Sequence, residues 1–518
     1  MINKESQSSD HLTVASRRGV RMAKVAVVLA AAFMLASIAV IISIAVVQTH
    51  KKTYVSRGLK YGIVLDAGSS RTTVYLYEWP AEKENNTGVV SQTTKCQVEG
   101  PGISDLGLDE DQDKTTWKSL HECIEKMTEA IPSHQHNSTP VFLGATAGMR
   151  LLHMTNEGRS NDVLKKMKNY LSSLPFKFQN ASIISGQEEG LYGWMTVNYL
   201  KGNFLEKNLW NAWIHPHGAK TVGSLDLGGA STQIAFATSD DAKGEDIIKV
   251  SLYGYEYNIY THSFLCYGKN EAEKRVLAKL AKEPTSWANV KHPCFPTGYN
   301  TTMLAEEVFG SECTKNNVPS RYNPKRSITF FGQSNPEQCK ALVRSIFDLT
   351  SCQGTENCSF DGVYQPPLSG DFTAYAGFYW TALALKVNGS NSMEKFNTNM
   401  KLFCSNDWKN LKQNYGNKDS HLKSFCYSAN YVHTILADGY KFNTDNWENL
   451  EFSKEVNNTS IAWSLGYMLA LSNMIPAEGK IIKLPINNVL FTGLLLLFSA
   501  MTIITLTYLV IALARYCY

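Results

Sequence analysis

The sequence predicts an α/β protein made of two similar lobes and held in a membrane at both ends. The first observation is a duplicated hairpin, because IVLDAGSSRTTVYLY around Asp66 and GSLDLGGASTQIAF around Asp226 share the same order of residue types. The second is the alternation of strand-like and helix-like segments, which is typical of α/β layers. The third is a pair of long apolar runs, one near each end of the chain.

The polar residues of each hairpin that could bind a ligand lie at its tip. Runs rich in β-branched and aromatic residues flank a turn that holds an aspartate, a glycine and small or hydroxyl residues. Glycine lets the backbone approach a ligand closely, and successive backbone N–H groups in such a turn form a concavity that binds anions. One such turn alone is more often an ordinary surface turn. Two copies predict two phosphate-binding hairpins, one from each lobe, facing a shared cleft.

The apolar runs predict two membrane-spanning helices at residues 25–48 and 489–514, each long enough to cross a bilayer. A cleaved signal peptide is the alternative for the first run, but its apolar core is long and no clear cleavage site precedes His50. Basic residues before the first span predict cytoplasmic tails at 1–24 and 515–518. The net charge of +4 is small for 518 residues and gives no argument for a nucleic-acid partner.

The region between the spans has the composition of an ectodomain. It holds ten of the eleven cysteines, and an even number in one compartment fits disulfides in an oxidising space. The remaining Cys517 could be palmitoylated, although a free thiol is the simpler interpretation. Asparagines in N-x-Ser/Thr glycosylation tripeptides are Asn85, Asn137, Asn180, Asn300, Asn357, Asn388, Asn457 and Asn458.

The order of segments predicts lobe 1 at 53–185, a disulfide-rich lobe 2 at 186–453 and a return to lobe 1 at 454–480. Helix-like patterns occur near 115–131 and 161–171, with a short buried strand at 141–143 between them. The cysteine-rich stretch 266–358 is expected to be irregular, and 372–385 shows a helical period.

Two shorter motifs allow both a functional and an ordinary interpretation. GATAGMR, from Gly144 to Arg150, could open a helix whose N-terminus binds an anion, or it could be a plain strand-to-helix turn. SGQEEGLYGW holds Glu188 and Glu189, and on extended or turn backbone adjacent side chains point apart, so at most one should face the cleft as a general base. The alternative is a solvated acidic loop.

Two apolar segments have packing as their first interpretation. IAWSLGYML, which contains Trp463, reads as a buried helix late in the chain. The aromatic cluster that contains Trp380 could stack a nucleotide base, although aromatic residues at helical spacing are more often core residues.

Five of these motifs, in this order, resemble those of the ecto-nucleoside triphosphate diphosphohydrolases, or cell-surface apyrases. They are DAGSSRT from Asp66, GATAGMR from Gly144, GQEEGLYGW from Gly186, DLGGASTQ from Asp226 and AWSLGYML from Ala462. The resemblance covers nearly the whole chain, and WPAEKENNTGVVSQ and GNFLEKNLW look most like the type 3 subgroup of that family. It implies two ribonuclease-H-like lobes of the actin, hexokinase and Hsp-chaperone superfamily.

The resemblance also implies an activity, its cation and its site residues. The family hydrolyses nucleoside tri- and diphosphates with Ca²⁺ or Mg²⁺, and its catalytic base corresponds to Glu189. Metal-associated aspartates correspond to Asp66 and Asp226, largely through water, with Glu189 and Trp463 near the metal-bound waters. Gln233, helped by Ser231, would orient the attacking water, and Trp380 would stack the base in place of the usual Tyr. Phosphate contacts would fall on Ser69, Ser70, Arg71, Thr146, Ala147, Gly228, Gly229, Ala230, Ser231, Thr232 and Gln233. The implied disulfides are Cys96–Cys123, Cys266–Cys313, Cys294–Cys339, Cys352–Cys358 and Cys404–Cys426.

The expected protein is therefore a plasma-membrane enzyme with two spans, an extracellular site, cytoplasmic termini and a possible homo-oligomeric state. A nucleotide-sensing receptor without turnover is one alternative, but the joint presence of Asp66, Glu189, Asp226 and Gln233 argues against it, since a sensor needs no base. An intracellular sugar kinase is another, and the spans, glycosylation tripeptides and cysteines argue against that.

Overall fold

The computed structural model describes residues 6–51, 53–55, 57–106, 113–209, 212–239, 244–283, 287–354, 356–389, 392–415, 421–475, 478 and 481–517. Residues 1–5 and 518 of the predicted tails, Ser390 of the Asn388 tripeptide and the side chain of Cys517 lie outside what is described. The chain divides into two compact units, one made of Met1–Arg57 with Glu478–Tyr518 and the other of Gly58–Ala477.

The strands are, in chain order, β1 (Thr53–Val55), β2 (Leu59–Ala67), β3 (Thr72–Pro80), β4 (Ser91–Gln97), β5 (Pro140–Ala145), β6 (Lys177–Ile183), β7 (Glu206–Lys207), β8 (Trp213–Ile214), β9 (Gly223–Leu227), β10 (Ser231–Ala237), β11 (Ile247–Leu252), β12 (Tyr255–Leu265), β13 (Val290–His292), β14 (Asn300–Leu304), β15 (Ser327–Gly332), β16 (Phe372–Ala376), β17 (Leu450–Phe452), β18 (Glu455–Val456), β19 (Thr459–Ser460) and β20 (Ile481–Lys483). The α-helices are α1 (Ser6–His50), α2 (Lys114–Ala130), α3 (Ala147–Thr155), α4 (Glu157–Ser172), α5 (Gly186–Leu200), α6 (Lys269–Leu280), α7 (Ala305–Phe309), α8 (Pro336–Arg344), α9 (Gly377–Ala384), α10 (Met393–Cys404), α11 (Trp408–Tyr415), α12 (Phe425–Thr434), α13 (Trp463–Met474) and α14 (Asn488–Cys517).

The unit formed by the chain ends consists mainly of α1 and α14, which pack along each other. Two stretches of these helices, Arg21–His50 and Asn488–Arg515, are long and apolar enough to cross a membrane. β1 pairs with β20 in antiparallel register, and the Gln48 amide exchanges two hydrogen bonds with the backbone of Ile486. The structure thus contains helices at both predicted spans, although α1 begins well before the first of them.

The first sheet of the larger unit has the order β4-β3-β2-β5-β6. β2 forms an antiparallel hairpin with β3, which pairs antiparallel with β4, whereas β5 and β6 run parallel to β2. Every residue of β5 is buried, as expected for a parallel strand covered on both faces. The core of this first lobe lies between the sheet and helices α2 and α4, and it includes Ile63, Leu65, Trp117 and Leu171.

The second sheet repeats this arrangement in the order β11-β12-β10-β9-β16-β17. β9 and β10 form the hairpin, β12 pairs antiparallel with β10, and β16 and β17 run parallel to β9. The two predicted hairpins therefore occupy equivalent central positions in two sheets of the same topology. This confirms the predicted α/β fold with two similar lobes.

Helices α5 and α13 connect the two sheets. They pack on each other, α5 contacts β9, β10 and β12, and α13 contacts β2 and β3. Their shared core takes Val64 and Trp79 from the first sheet, Ile259 from the second, and Trp194 and Trp463 from the helices. The late apolar motif is thus a buried helix, as its pattern predicts.

Two predictions about lobe 2 are wrong. Region 266–358 is not irregular, since it contains α6, α7, α8 and a small sheet of order β13-β15-β14 with its own apolar core. Residues 372–385 do not form one helix, because 372–376 are the strand β16 and only then does α9 begin. A central strand is apolar on both faces, so its short run fits a helical period equally well.

Four disulfides lie in this cysteine-rich lobe, and a further one, Cys96–Cys123, joins β4 to α2 beside the first sheet. The structure joins Cys96–Cys123, Cys266–Cys313, Cys294–Cys339, Cys352–Cys358 and Cys404–Cys426. The eight asparagines of the glycosylation tripeptides are all solvent-exposed.

Candidate active site

The tips of the two hairpins have the same backbone turn and face each other. In the first tip Gly68 N–H donates to Arg71 O at 3.0 Å, and in the second Gly228 N–H donates to Ser231 O at 3.0 Å. A Cβ built on Gly229 would lie 2.7 Å from Ser69 Oγ and 3.5 Å from Ser70 Oγ. Glycine at 229 thus permits the tips, one from each lobe, to meet.

A row of polar side chains crosses the second sheet behind its tip. Asp226 on β9 is in register with Gln233 on β10, and Gln233 with Ser263 on β12. Residues in register share a face of the sheet, so these three side chains lie side by side. Thr232, the next residue along, points the other way, and its hydroxyl donates to Asp226 O at 2.6 Å.

The helix α5 separates the two adjacent glutamates. Ser185 and Glu188 form a capping box, in which Glu188 N–H donates to Ser185 Oγ and Ser185 N–H donates to Glu188 Oε2 at 2.8 Å. The side chain of Glu188 thus caps the start of the helix, whereas Glu189 is only 8 % exposed and turns towards the cleft. Only one glutamate faces inwards, but the backbone is the first turn of a helix and not the extended or turn backbone that we expected.

Glu189 is held from two sides. Its Oε2 forms an ion pair with Arg150 and accepts a hydrogen bond from Gln233 Nε2 at 3.0 Å. The same Gln233 amide donates to Ser231 Oγ at 2.7 Å and to Ser263 Oγ at 2.9 Å. Arg150 lies within 3.4 Å of both serine hydroxyls.

Sequence reasoning assigned no role to Arg150 or Ser263. A signal existed for Arg150, because it closes the GATAGMR motif and lies in the first turn of α3. Side chains of a helix lean towards its N-terminus, which here adjoins the cleft. No local pattern marks Ser263, which the sheet register alone brings beside Gln233.

Asp66 lies in the first sheet opposite Gly144, and the indole of Trp463 fills the space above that glycine. Trp463 Nε1 donates to Asp66 Oδ1 at 2.8 Å. Trp463 is therefore a core residue, as its apolar motif predicts, and it also donates the hydrogen bond that fixes one oxygen of Asp66.

Three carboxyl groups from two sheets and one helix affect each other's protonation. Burial raises the pKa of Asp66 to about 7, with a further increase from Glu189, against the hydrogen bond from Trp463 and the charge of Arg71. Burial also raises the pKa of Asp226 well above its usual range, and both Glu189 and Asp66 add to that shift. Burial raises the pKa of Glu189 as well, against the charge of Arg150. These three carboxyl groups therefore hold their protons more tightly than isolated carboxyls do, unless a positive charge lies beside them.

The residues present fit a hydrated divalent cation. No described residue donates to the Asp226 carboxylate, and the Gln233 Oε1 atom is buried without a partner in the described part of the chain. Within the same residues, no three His, Cys, Asp or Glu side chains come close enough to hold an ion directly. Ca²⁺ and Mg²⁺ prefer oxygen ligands, and Mg²⁺ keeps several of its waters, so the donor set suits an ion held largely through water.

Of the remaining predicted residues, Thr146 and Ala147 border the first tip. Thr146 is buried, its N–H donates to Ala67 O at 3.1 Å, and Ala147 starts α3. A Cβ on Gly148 would lie 2.8 Å from Ser69 Cα, so α3 packs directly on the first tip. Trp380 is at the surface on α9, 50 % exposed and edge-on to Tyr379.

Comparison with known proteins identifies the family. The model of the GDA1/CD39 (nucleoside phosphatase) family matches residues 53–484. Ectonucleoside triphosphate diphosphohydrolase 3 from Homo sapiens is 52 % identical over 93 % of this chain and 91 % of its own length. Ectonucleoside triphosphate diphosphohydrolase 1 from Mus musculus is 42 % identical over 90 % of this chain and 91 % of its own.

A solved structure shares the fold at low identity. It is that of nucleoside triphosphate hydrolases from Neospora caninum, which aligns with a TM-score of 0.51 and 14 % identity over 80 % of this chain and 93 % of that one. The family match, the two close relatives and the duplicated hairpins with their shared carboxylate cluster lead to one conclusion. The chain belongs to the GDA1/CD39 (nucleoside phosphatase) family.

Proposed function

We propose that the chain is an ecto-apyrase, which hydrolyses nucleoside tri- and diphosphates such as ATP, ADP, UTP and UDP to the monophosphate and phosphate. The observation that carries this proposal is the buried Glu189, held by Arg150 and by Gln233 close behind two hairpin tips that meet. The printed names of the relatives, which are triphosphate diphosphohydrolases, support the same substrate class.

In this mechanism Glu189 is the general base. Its Oε2 is occupied by Arg150 and Gln233, and no described residue donates to Oε1, so Oε1 is the oxygen that takes a proton from water. The two hydrogens of Gln233 Nε2 are shared among Glu189, Ser231 and Ser263, which leaves the buried Oε1 of Gln233 as an acceptor for the same water. The water then attacks the terminal phosphorus in line with the leaving oxygen.

The backbone N–H groups of the two tips bind and orient the phosphoryl oxygens, together with Ser69, Ser70, Arg71, Thr146 and Ser231. Donors that are already in place when charge develops lower the barrier without reorganisation. Asp66, Asp226 and Glu189, with Trp463 nearby, would hold Ca²⁺ or Mg²⁺ largely through water, and the bound ion would offset negative charge on those oxygens. We assign Trp380 to the nucleotide base because its exposed ring offers a stacking face.

We place this activity outside the cell, at the plasma membrane, where it would modulate purinergic signalling. The two candidate spans, with disulfides and the exposed asparagines of the glycosylation tripeptides between them, support an extracellular site and cytoplasmic termini. Contacts between the spans of two copies would produce a homo-oligomer, and a change of the ADP-to-ATP hydrolysis ratio in detergent, without unfolding, tests that part.

The adjacent glutamates provide a matched pair of variants. Glu189→Gln should lower phosphate release by about 10²–10⁴-fold, because general-base catalysis contributes that much, while nucleotide binding persists. Glu188→Gln should leave turnover nearly unchanged, because Glu188 serves the helix cap. Phosphate release from ATP and ADP by intact cells, with and without EDTA, measures both variants.

Near-normal turnover by Glu189→Gln would contradict the assignment of the base. Equal loss in both variants would mean that the two glutamates share the role. If wild-type cells bind nucleotide but release phosphate from neither ATP nor ADP, the chain is a receptor and not an apyrase.

A further inference from the structure

Tyr253 occupies an unusual place at the tip of the hairpin between β11 and β12. Tyr253 and Gly254 connect the two strands, with φ of 54° and 86°. Two positive φ values define the type I′ turn, which favours Asn and Gly at exposed tips. Tyr253 is instead 1 % exposed, and a bulky residue at positive φ is strained unless its surroundings hold it there.

The surroundings that hold Tyr253 belong to the other lobe. Its N–H donates to Thr87 Oγ1 at 2.9 Å, its O accepts from Asn85 Nδ2 at 3.1 Å, and its hydroxyl donates to Gly88 O at 2.8 Å. All three polar groups of one residue in the second lobe therefore bond to the loop 81–90 of the first. We call this the Tyr253 contact.

Residues of helix α13 form hydrogen bonds to both sides of the Tyr253 contact. Thr87 Oγ1 donates to Asn473 Oδ1 at 2.6 Å, and Asn473 Nδ2 donates to Ser251 O at 3.0 Å. Gly88 N–H donates to Ser472 Oγ at 2.9 Å. The contact is thus braced by the helix that already packs on both lobes.

The Tyr253 contact and the phosphate tips lie at opposite ends of the sheets. β3 begins at Thr72 beside the first tip and ends at Pro80, where the loop 81–90 begins. β12 ends at Leu265, in register with Ser231 of the second tip, and begins beside the Tyr253 turn. At about 3.4 Å per residue, the two ends of β3 are about 27 Å apart.

At the cleft end the tips meet, since a Cβ on Gly229 would lie within 2.7 Å of Ser69 Oγ. A phosphate chain that enters or leaves between the tips requires them to separate. We propose that the Tyr253 contact is the fixed pivot about which the two lobes rotate during nucleotide entry and product release. A rotation of about 10° would part the tips by about 5 Å over that 27 Å distance, and would move the contacts at the pivot by only about 0.5 Å.

Two engineered crosslinks test this inference, which rests on the proposed function. The pivot crosslink is Asn85→Cys with Gly254→Cys, because a Cβ on Gly254 would lie 3.4 Å from Asn85 Cβ, near the disulfide value of about 3.8 Å. The tip crosslink is Ser69→Cys with Gly229→Cys, where the new Cβ would lie 2.7 Å from the Ser69 Oγ position.

Each doubly substituted full-length protein is compared with itself, oxidised and mildly reduced, by phosphate release from ATP for the pivot crosslink and by nucleotide binding for the tip crosslink. The pivot crosslink should form and leave turnover within about twofold of its own reduced form. The tip crosslink replaces two residues of the phosphate-binding tips, so it is judged only against its own reduced form, which should bind a fluorescent ATP analogue at least about tenfold more tightly than the oxidised form. The single Asn85→Cys protein controls for the lost glycosylation tripeptide, and wild type controls for reduction of native disulfides.

Loss of turnover in the oxidised pivot protein would overturn the inference, as would failure of that crosslink to form or equally tight binding of the analogue with the tips joined. If Gly254→Cys does not fold, Tyr253→Gly removes the side chain while accepting the positive φ. It should lower kcat about tenfold, equal to about 1.4 kcal/mol, and an unchanged kcat would also overturn the inference.

Failure of the proposed function has a different signature. Wild type that releases no phosphate would contradict that function alone. Binding of a fluorescent ATP analogue to the two crosslinked proteins then tests the pivot, since only the tip crosslink should block binding.

Discussion

Replacing Gly144 by alanine should disturb the candidate site through a single rigid neighbour. Gly144 lies in β5 opposite Asp66, and a Cβ there would be 2.3 Å from Trp463 Cη2, with Cζ2 and Cζ3 at 3.0 Å and 3.2 Å. The indole is 4 % exposed, so it has little free space into which to turn. Gly144→Ala should therefore push Trp463 away from Asp66.

The structure sets the size of the effect. Carbon atoms pack at about 3.5 Å, so the ring must retreat by about 1.2 Å. A shift of that size along the 2.8 Å bond from Trp463 Nε1 to Asp66 Oδ1 would break it. Overpacking costs about 1–3 kcal/mol and a hydrogen bond to a charged group about 1.5–3 kcal/mol. Gly144→Ala should thus destabilise the protein by about 2.5–6 kcal/mol.

A double-mutant cycle with Trp463→Phe separates the two contributions. Phenylalanine has no atoms in place of the outer indole ring, so the alanine methyl should fit and stability should be recovered by about 1–3 kcal/mol relative to the sum of the single changes. Catalysis should not recover, because Asp66 still lacks its donor. Both quantities can be measured on the full-length chain, by unfolding and by phosphate release.

Two outcomes would refute this reasoning. If Gly144→Ala costs the same stability in the wild-type protein as in the Trp463→Phe variant, the indole is not the obstacle. Wild-type turnover in the double variant would mean that the hydrogen bond to Asp66 does not serve catalysis.

Three further predictions concern other parts of the molecule. Ser185→Ala should destabilise α5 by about 0.5–2 kcal/mol in unfolding experiments, because its hydroxyl caps the helix, and an unchanged stability would contradict that role. Burial lowers the pKa of His292 to about 3, so as the pH falls the unfolded chain takes up the His292 proton before the folded chain does. Lowering the pH from 7 to 5 should therefore reduce the free energy of unfolding by about 2 kcal/mol. Unfolding curves at both pH values should show that His292→Gln removes this loss. EDTA should abolish phosphate release and added Mg²⁺ restore it, because burial and mutual repulsion disfavour the ionised forms of Asp66 and Asp226 unless a cation balances their charge; turnover that survives EDTA would contradict the metal assignment.

Much of the fold follows from patterns within short stretches of chain. The two hairpins are visible because strand-forming runs flank a Gly-containing turn, and the two copies predict two equivalent sheets. The spans and the oxidising compartment follow from composition. The misassigned strand 372–376 shows the limit, because a fully buried strand and a buried helix are both continuously apolar over five residues.

The sequence by itself determined which groups are present: two Asp-Gly tips, a pair of glutamates, a late tryptophan and an even set of cysteines between two apolar runs. The tertiary structure decided which of these groups meet. A capping box turns Glu188 outwards and Glu189 inwards, Arg150 on α3 reaches Glu189 on α5, and Tyr253 is buried at the tip of a hairpin. Sequence patterns report on neighbours along the chain, whereas these contacts join segments that only the packing of the two lobes brings together.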